Sequence, residues 1–172
     1  MTESTETTEA SASVPYDPQP AAGSLPPRIP RYMIGVLYYG AHDPLHDRCM
    51  HAIHQHPYVG EVKELSGCAY IEMGRSLLAT ILLDSTYDGL LMIAHDMLFE
   101  PEEVTRVIDS AEQFQGIVGG AYSMRAPGAA IIGAIDTVSL AEGERVKFFE
   151  GGRVYAATYL GMGFTAIPRA VL

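Results

Sequence analysis

The chain predicts an α/β fold, a mainly parallel sheet flanked by helices, and three observations carry that expectation. Short apolar runs recur at residues 32–39, 89–94 and 117–123, the length of strands rather than of buried helices, and a further short strand is expected at 61–65. Between them lie segments whose apolar residues fall at helical spacing. Proline and acidic side chains stand where those segments begin, as helix starts require. Strands and helices alternating at this length form βαβ units, which build parallel sheets.

The elements follow in chain order. Tyr32-Met33-Ile34-Gly35-Val36-Leu37-Tyr38-Tyr39 reads as a first buried strand, apolar on both faces. Asp43-Pro44 supplies an N-cap and a first-turn proline, so a helix runs from there to about His56, with Pro57 closing it. Leu45, Cys49, Ala52, Ile53 and His56 are its expected buried face. A short strand at 61–65 precedes a helix over 74–84 with Leu77, Leu78, Ile81 and Leu82 as the apolar stripe. The run from Gly89 to Ala94 is a central strand that stops at Asp96. Pro101, Glu102 and Glu103 then open a helix, where acids favour the dipole, and Val104, Val107, Ile108 and Ala111 form its apolar side. A fourth strand is expected at 117–123. Beyond Arg125 the pattern changes to small residues at 126–134, then to two strand-like runs around Gly151-Gly152, read as a C-terminal β-hairpin addition.

Composition sets the organisation. Residues 1–28 are rich in Thr, Ser, Glu, Ala and Pro, too poor in apolar surface to order themselves, and are expected to form a disordered acidic tail. It is either a solvated leader or a partner-docking peptide. Residues 29–172 are expected to form one compact domain of ordinary size. The net charge is −10, with Lys63 and Lys147 the two lysines and no basic cluster. That balance argues against nucleic-acid backbone and anionic membrane surfaces as partners, though not against a nucleotide. No apolar run approaches the roughly 20 residues of a membrane span, and the first residues lack a basic and an apolar signal region, so a cytoplasmic protein is expected. Cys49 and Cys68 have neither zinc-site nor redox-pair spacing and read as reduced core residues.

The central strand places Asp96 at the carboxyl end of the sheet, where open α/β sheets bind ligands. The run Leu90-Leu91-Met92-Ile93-Ala94-His95-Asp96-Met97-Leu98-Phe99, followed by Pro101-Glu102, resembles the nucleotide-sugar-binding strand of the GT-A glycosyltransferases. Gly116-Ile117-Val118-Gly119-Gly120-Ala121-Tyr122-Ser123-Met124-Arg125 is similar to that family's next strand. Gly161-Met162-Gly163-Phe164-Thr165-Ala166-Ile167-Pro168-Arg169 resembles its G-x-G-F-x-x-x-x-R segment. Together these cover roughly residues 31–172.

The resemblance implies a Rossmann-like, GT-A-type domain that binds a nucleotide-sugar through Mn2+ or Mg2+ and transfers the sugar to an acceptor whose identity stays open. It implies Asp96 as the metal ligand, with Ala94 standing where the family's D-x-D motif has its first carboxylate, and hence a weakened site. Strand alternation points His95 away from Asp96 unless the strand has already ended. The resemblance also implies nucleotide contacts at Tyr38, Tyr39 and Gly40, phosphate contact at Arg75, and sugar or acceptor contacts at Tyr122, Arg125, Gly161 and Gly163. Each has a plainer reading: a helix cap for Asp96, strand packing for the tyrosines, a salt bridge with Glu72 for Arg75, close backbone packing for the glycines. The family's members continue past this arginine into acceptor-binding segments that are not expected here. A non-catalytic binding or structural subunit, or a truncated or inactivated copy of a larger glycosyltransferase, is therefore the alternative. Homo-oligomerisation through an exposed apolar edge is a further expectation.

Five histidines, His42, His46, His51, His54 and His56, fall within fifteen residues, and Asp47, His51 and His54 share helical spacing. A convex polar helix face rarely closes a metal shell, so these read as a solvated face.

Overall fold

The computed structural model describes residues 28–68, 70–120 and 160–172, together with the backbone of short strands at Val14–Pro15, Tyr122–Ser123, Ile131–Ile132, Ala134–Ile135, Arg153–Val154 and Ala157–Tyr159. The chain divides into two compact units, one of Met1–Asp17 with Ser123–Leu160 and one of Pro18–Tyr122 with Gly161–Leu172. Within the first, Val14–Pro15 pairs antiparallel with Arg153–Val154, and Ala157–Tyr159 with Ala134–Ile135. The described pieces of the second expected hairpin run thus pair elsewhere in the chain, and residues 145–152 lie outside the described residues.

The second unit is the α/β layer structure the sequence predicts. Its elements are β1 (Tyr32–Tyr38), α1 (Pro44–Ile53), β2 (Val59–Ser66), α2 (Ile71–Leu83), β3 (Gly89–Ala94), α3 (Pro101–Phe114), β4 (Val118–Gly119) and β5 (Phe164–Pro168). They form one five-stranded sheet in the order β2-β1-β3-β5-β4. β1 runs parallel to both β2 and β3, whereas β5 is antiparallel to β3 and to β4. The expected fourth strand is shorter than its apolar run: Val118–Gly119 joins this sheet and Tyr122–Ser123 belongs to a separate two-stranded one. No helix among the described residues is long and apolar enough to cross a membrane.

Strand alternation divides the core into two layers. Tyr32, Ile34, Val36 and Tyr38 of β1 face α1 and α3, packing with Met50, Ile53, Val104, Val107, Ile108 and Ala111. Met33 and Leu37 face the other way, with Leu78 and Leu82 of α2 and Leu90 and Met92 of β3. The central strands are buried on both faces, as a parallel sheet covered by helices demands.

Helix boundaries follow local chemistry. The Asp43 side chain accepts from the Leu45 N–H at 2.8 Å, and Pro44 opens α1. At α3, the Glu103 carboxylate accepts from the Glu100 N–H at 2.9 Å, so Glu100 is the N-cap residue. That removes helix capping as a reading of Asp96.

The buried face of α1 differs from the one expected. His46, Met50 and Ile53 point inward, whereas Leu45 is 52% exposed. The correction has a physical cause in His46, which is fully buried among aromatic rings with Nδ1 2.9 Å from the Met97 carbonyl oxygen. One imidazole nitrogen is thus paired with backbone, while Nε2 is buried without a hydrogen-bond partner among the described residues. His46 is therefore not part of a solvated histidine face. In α2, similarly, Leu77 of the expected stripe is 46% exposed, and the inward positions are Gly74, Leu78 and Leu82.

Candidate functional site

Three chain segments meet at the carboxyl ends of β1 and β3. β1 ends at Tyr38, and alternation sends Tyr39 to the α2 side of the sheet, opposite Tyr38. The Tyr39 ring is 45% exposed and meets the His95 ring nearly edge-on at 6.0 Å. Burial raises the Tyr39 hydroxyl above its ordinary pKa, while the nearby Arg75 guanidinium opposes the shift. Arg75 and Tyr39 are thus within electrostatic reach of one another. Arg75 sits in the second turn of α2, half-buried, and makes no ion pair among the described residues. The expected bridge to Glu72 is not formed.

The third segment follows β3. The Ala94 N–H donates to the Gly163 carbonyl at 2.7 Å, completing the strand. The Met97 N–H then donates to the Ala94 carbonyl at 2.9 Å, closing a turn over residues 94–97. His95 and Asp96 occupy that turn rather than a strand, so alternation does not separate them. Both line one cavity of about 210 Å³, whose walls also include Tyr39, Arg75, Ala94 and Met162. Of the residues the resemblance implies, Tyr39, Arg75 and Asp96 therefore share a single hollow.

The others are placed differently. Tyr38 is 4% exposed on the far face, its ring stacked on His42 at a 4.0 Å centroid separation. Its hydroxyl lies 3.5 Å from Glu64, and burial, with the Glu64 charge second, pushes its pKa up to about 12. It packs in the core layer on the opposite face of the sheet from the cavity. Gly40 is exposed, with open space where a side chain would stand. The Gly161 carbonyl accepts from the Thr165 hydroxyl at 3.0 Å, and the buried Gly163 carbonyl is bonded to Ala94. Both carbonyls thus anchor backbone at the root of β5 and present Met162 to the cavity. The side chains of Tyr122 and Arg125 lie outside the described residues.

The sequence reading missed Met162, Ile71 and Gly35 as lining residues. The glycines flanking Met162 were the available signal, since only backbone meets β3 there.

A divalent ion can be tested against this donor set. Among the described residues no group of three His, Cys, Asp or Glu side chains converges on a point that holds a metal. Within the cavity the hard oxygen donors are few: Asp96 carries the carboxylate, Ala94 offers no ligand, and Met162 is a soft thioether. The Arg75 guanidinium, a fixed positive charge, shares the same walls. These residues do not fit a protein-built site for Mn2+ or Mg2+.

A larger hollow of about 440 Å³ lies at the opposite ends of the strands, by Asp88 and Pro168. Its cations are engaged: Arg28 pairs with Asp88 at 3.2 Å, and Arg169 donates to the Leu82, Leu83 and Tyr87 carbonyls, capping the end of α2. The terminal arginine of the glycine-containing segment is therefore a structural cap, remote from Asp96.

The chain matches no protein-family model and no curated protein. In three dimensions it is similar to the protein of "Crystal Structure of A197 from STIV", with a TM-score of 0.54 and 18% identity, over 81% of this chain and 65% of that one. The chain spans less than two thirds of that protein's length. At this identity the likeness is one of α/β fold.

Proposed function

We propose that this chain is a GT-A-like protein that binds a nucleotide-sugar at the carboxyl edge of β1 and β3 and transfers the sugar to an acceptor. The observation that carries the reading is the convergence of Tyr39, Arg75 and Asp96, from three separate segments, on one cavity. Each supplies a different piece of chemistry. An exposed tyrosine ring offers a stacking face for a base. A guanidinium without an ion-pair partner among the described residues offers two parallel donors to phosphate oxygens. A carboxylate held in a turn accepts from ribose or sugar hydroxyls, or holds a cation carried in by the diphosphate. At about 210 Å³ the hollow is smaller than a typical ligand pocket of roughly 300–1,000 Å³, so it suits one portion of such a donor.

Isothermal titration of uridine and guanosine diphosphates and their sugar conjugates into the full chain tests the reading. Binding of one nucleotide family, weakened at least about tenfold by Asp96→Ala in a protein of unchanged circular dichroism, is the expected result. Absence of binding by every donor from folded protein refutes it.

A second reading is a binding subunit that has kept the sheet and lost transfer chemistry. Ala94 favours it, because the family's first carboxylate is absent. Donor binding without hydrolysis or transfer distinguishes it.

A further inference from the structure

Building on the nucleotide-sugar reading, we infer that Arg75 takes the charge-neutralising role of a divalent cation here, so that the diphosphate binds without metal. Three independent observations lead to it. Ala94, which ends β3 and lines the cavity beside Asp96, has no side-chain oxygen to offer a cation. The described residues present no three-ligand cluster. Arg75, from a different element, brings a permanent positive charge into the cavity that Asp96 lines, close enough to Tyr39 to bias its hydroxyl.

Physical chemistry connects these. A diphosphate carries two to three negative charges at neutral pH and needs a positive partner to leave water. A divalent ion supplies that charge only if the protein offers anionic oxygen to hold it, and a neighbouring guanidinium raises the cost of placing it. A planar guanidinium requires no such ligands. It meets two phosphate oxygens at once, and its pKa keeps it charged across the working range. Helix α2 fixes its base: Gly74 packs so closely under Leu37 that an added Cβ would stand 2.8 Å from a Leu37 methyl, which holds this turn of the helix against the sheet. Arg75 therefore projects from a turn of helix packed directly on the sheet.

The chemistry recognised is a pyrophosphate linked to a nucleoside. The probes are uridine diphosphate and guanosine diphosphate, with uridine and guanosine as phosphate-free controls. Each is titrated into the full-length protein in EDTA and, separately, in millimolar manganese. The inference expects the better diphosphate to bind in EDTA within about twofold of its affinity in manganese. Arg75→Ala is expected to weaken that diphosphate by roughly ten- to hundredfold while leaving the nucleoside within about twofold. Arg75→Lys should recover part of the loss, because it keeps the charge and loses the fork. Arg75→Gln provides a variant of similar length should the alanine protein fail to fold.

Binding that appears only with manganese and is removed by EDTA overturns the inference and leaves the nucleotide-sugar reading standing, with Asp96 as the ligand. An Arg75→Ala protein that loses nucleoside and diphosphate equally also overturns it, since Arg75 then supports the fold rather than the phosphates. Failure of both diphosphates to bind under either condition removes the underlying reading and the inference with it.

Discussion

Gly89 begins β3, directly opposite Tyr32 of β1 and Pro168 of β5. A Cβ at this position would overlap the Tyr32 ring at Cε1 and Cζ, and would stand 2.7 Å from the Ile167 carbonyl oxygen. Neither neighbour yields easily. The Tyr32 side chain is fully buried and its hydroxyl donates to Glu112 at 2.7 Å, while the Ile167 carbonyl belongs to the backbone of β5. Gly89→Ala is therefore an overpacking mutation at the start of the central strand. Overpacking costs about 1–3 kcal/mol. Displacing the ring from Glu112 forfeits a further 0.5–1.5 kcal/mol or so. Against this, exchanging glycine for alanine restricts the unfolded chain and returns about 0.4–1 kcal/mol. The net expectation is a loss of about 2 kcal/mol.

Urea denaturation followed by far-ultraviolet circular dichroism reads that loss. With an m-value of about 1–3 kcal/mol per molar, the midpoint should fall by about 1 M. A double-mutant cycle isolates the cause: in a Tyr32→Leu background the ring is gone, and Gly89→Ala should cost at least about 1 kcal/mol less than in the parent. A midpoint that stays or rises, or an equal cost in both backgrounds, refutes the steric account.

Arg169→Ala removes the charged donors that cap α2 at the Leu82 and Leu83 carbonyls, at 2.8 and 2.6 Å. It should lower stability by about 1.5–3 kcal/mol in the same urea assay while leaving nucleotide binding intact, being at the far end of the strands. His56 accepts from the Tyr58 N–H at Nδ1, 3.3 Å away, and burial lowers its pKa, with Glu102 opposing. The unfolded chain therefore takes up the proton first as pH falls below the ordinary histidine value of about 6.5, and stability should decline through that window. His56→Gln should flatten the decline between pH 8 and 5.5, and an unchanged slope would assign it to other groups. Ala94→Asp supplies a second oxygen ligand beside Asp96. Diphosphate binding should become manganese-dependent in this variant, and titration in EDTA and in manganese checks it.

Elements whose burial is set by a single periodic signal were legible in the sequence. α3 shows this best, since Val104, Val107, Ile108 and Ala111 are all inward, and Pro101 with Glu103 marks its start. α1 was legible in extent and not in rotation, because counting apolar side chains undervalues a histidine that finds a carbonyl. The direction of β5 was not legible at all. Phe164–Pro168 carries the same apolar character whether it runs with or against β3, and direction depends on where the preceding chain returns. The site divides in the same way. The sequence places Asp96 at the carboxyl end of the central strand, whereas Tyr38 and Tyr39, expected together, are separated by strand alternation. It does not foresee the hydrogen bond from Met97 to Ala94 that closes the turn after β3 and brings His95 to the cavity wall.

Ala94, at the first position of that turn, lines the same cavity as Arg75. With Asp at 94 as well as 96, the cavity would hold two carboxylates and one guanidinium and could accept a divalent ion with little net charge. With Ala94 the charges lining the cavity already balance, Asp96 against Arg75, so the protein adds no net anionic charge to hold a divalent ion. A unit pair about 4 Å apart at an effective dielectric near 20 is worth about 4 kcal/mol, so one missing carboxylate weighs as much as a whole ligand. The same arithmetic says that Arg75 alone offsets only part of a diphosphate's charge. Binding through it should therefore be modest in affinity and should weaken visibly between 50 and 200 mM salt.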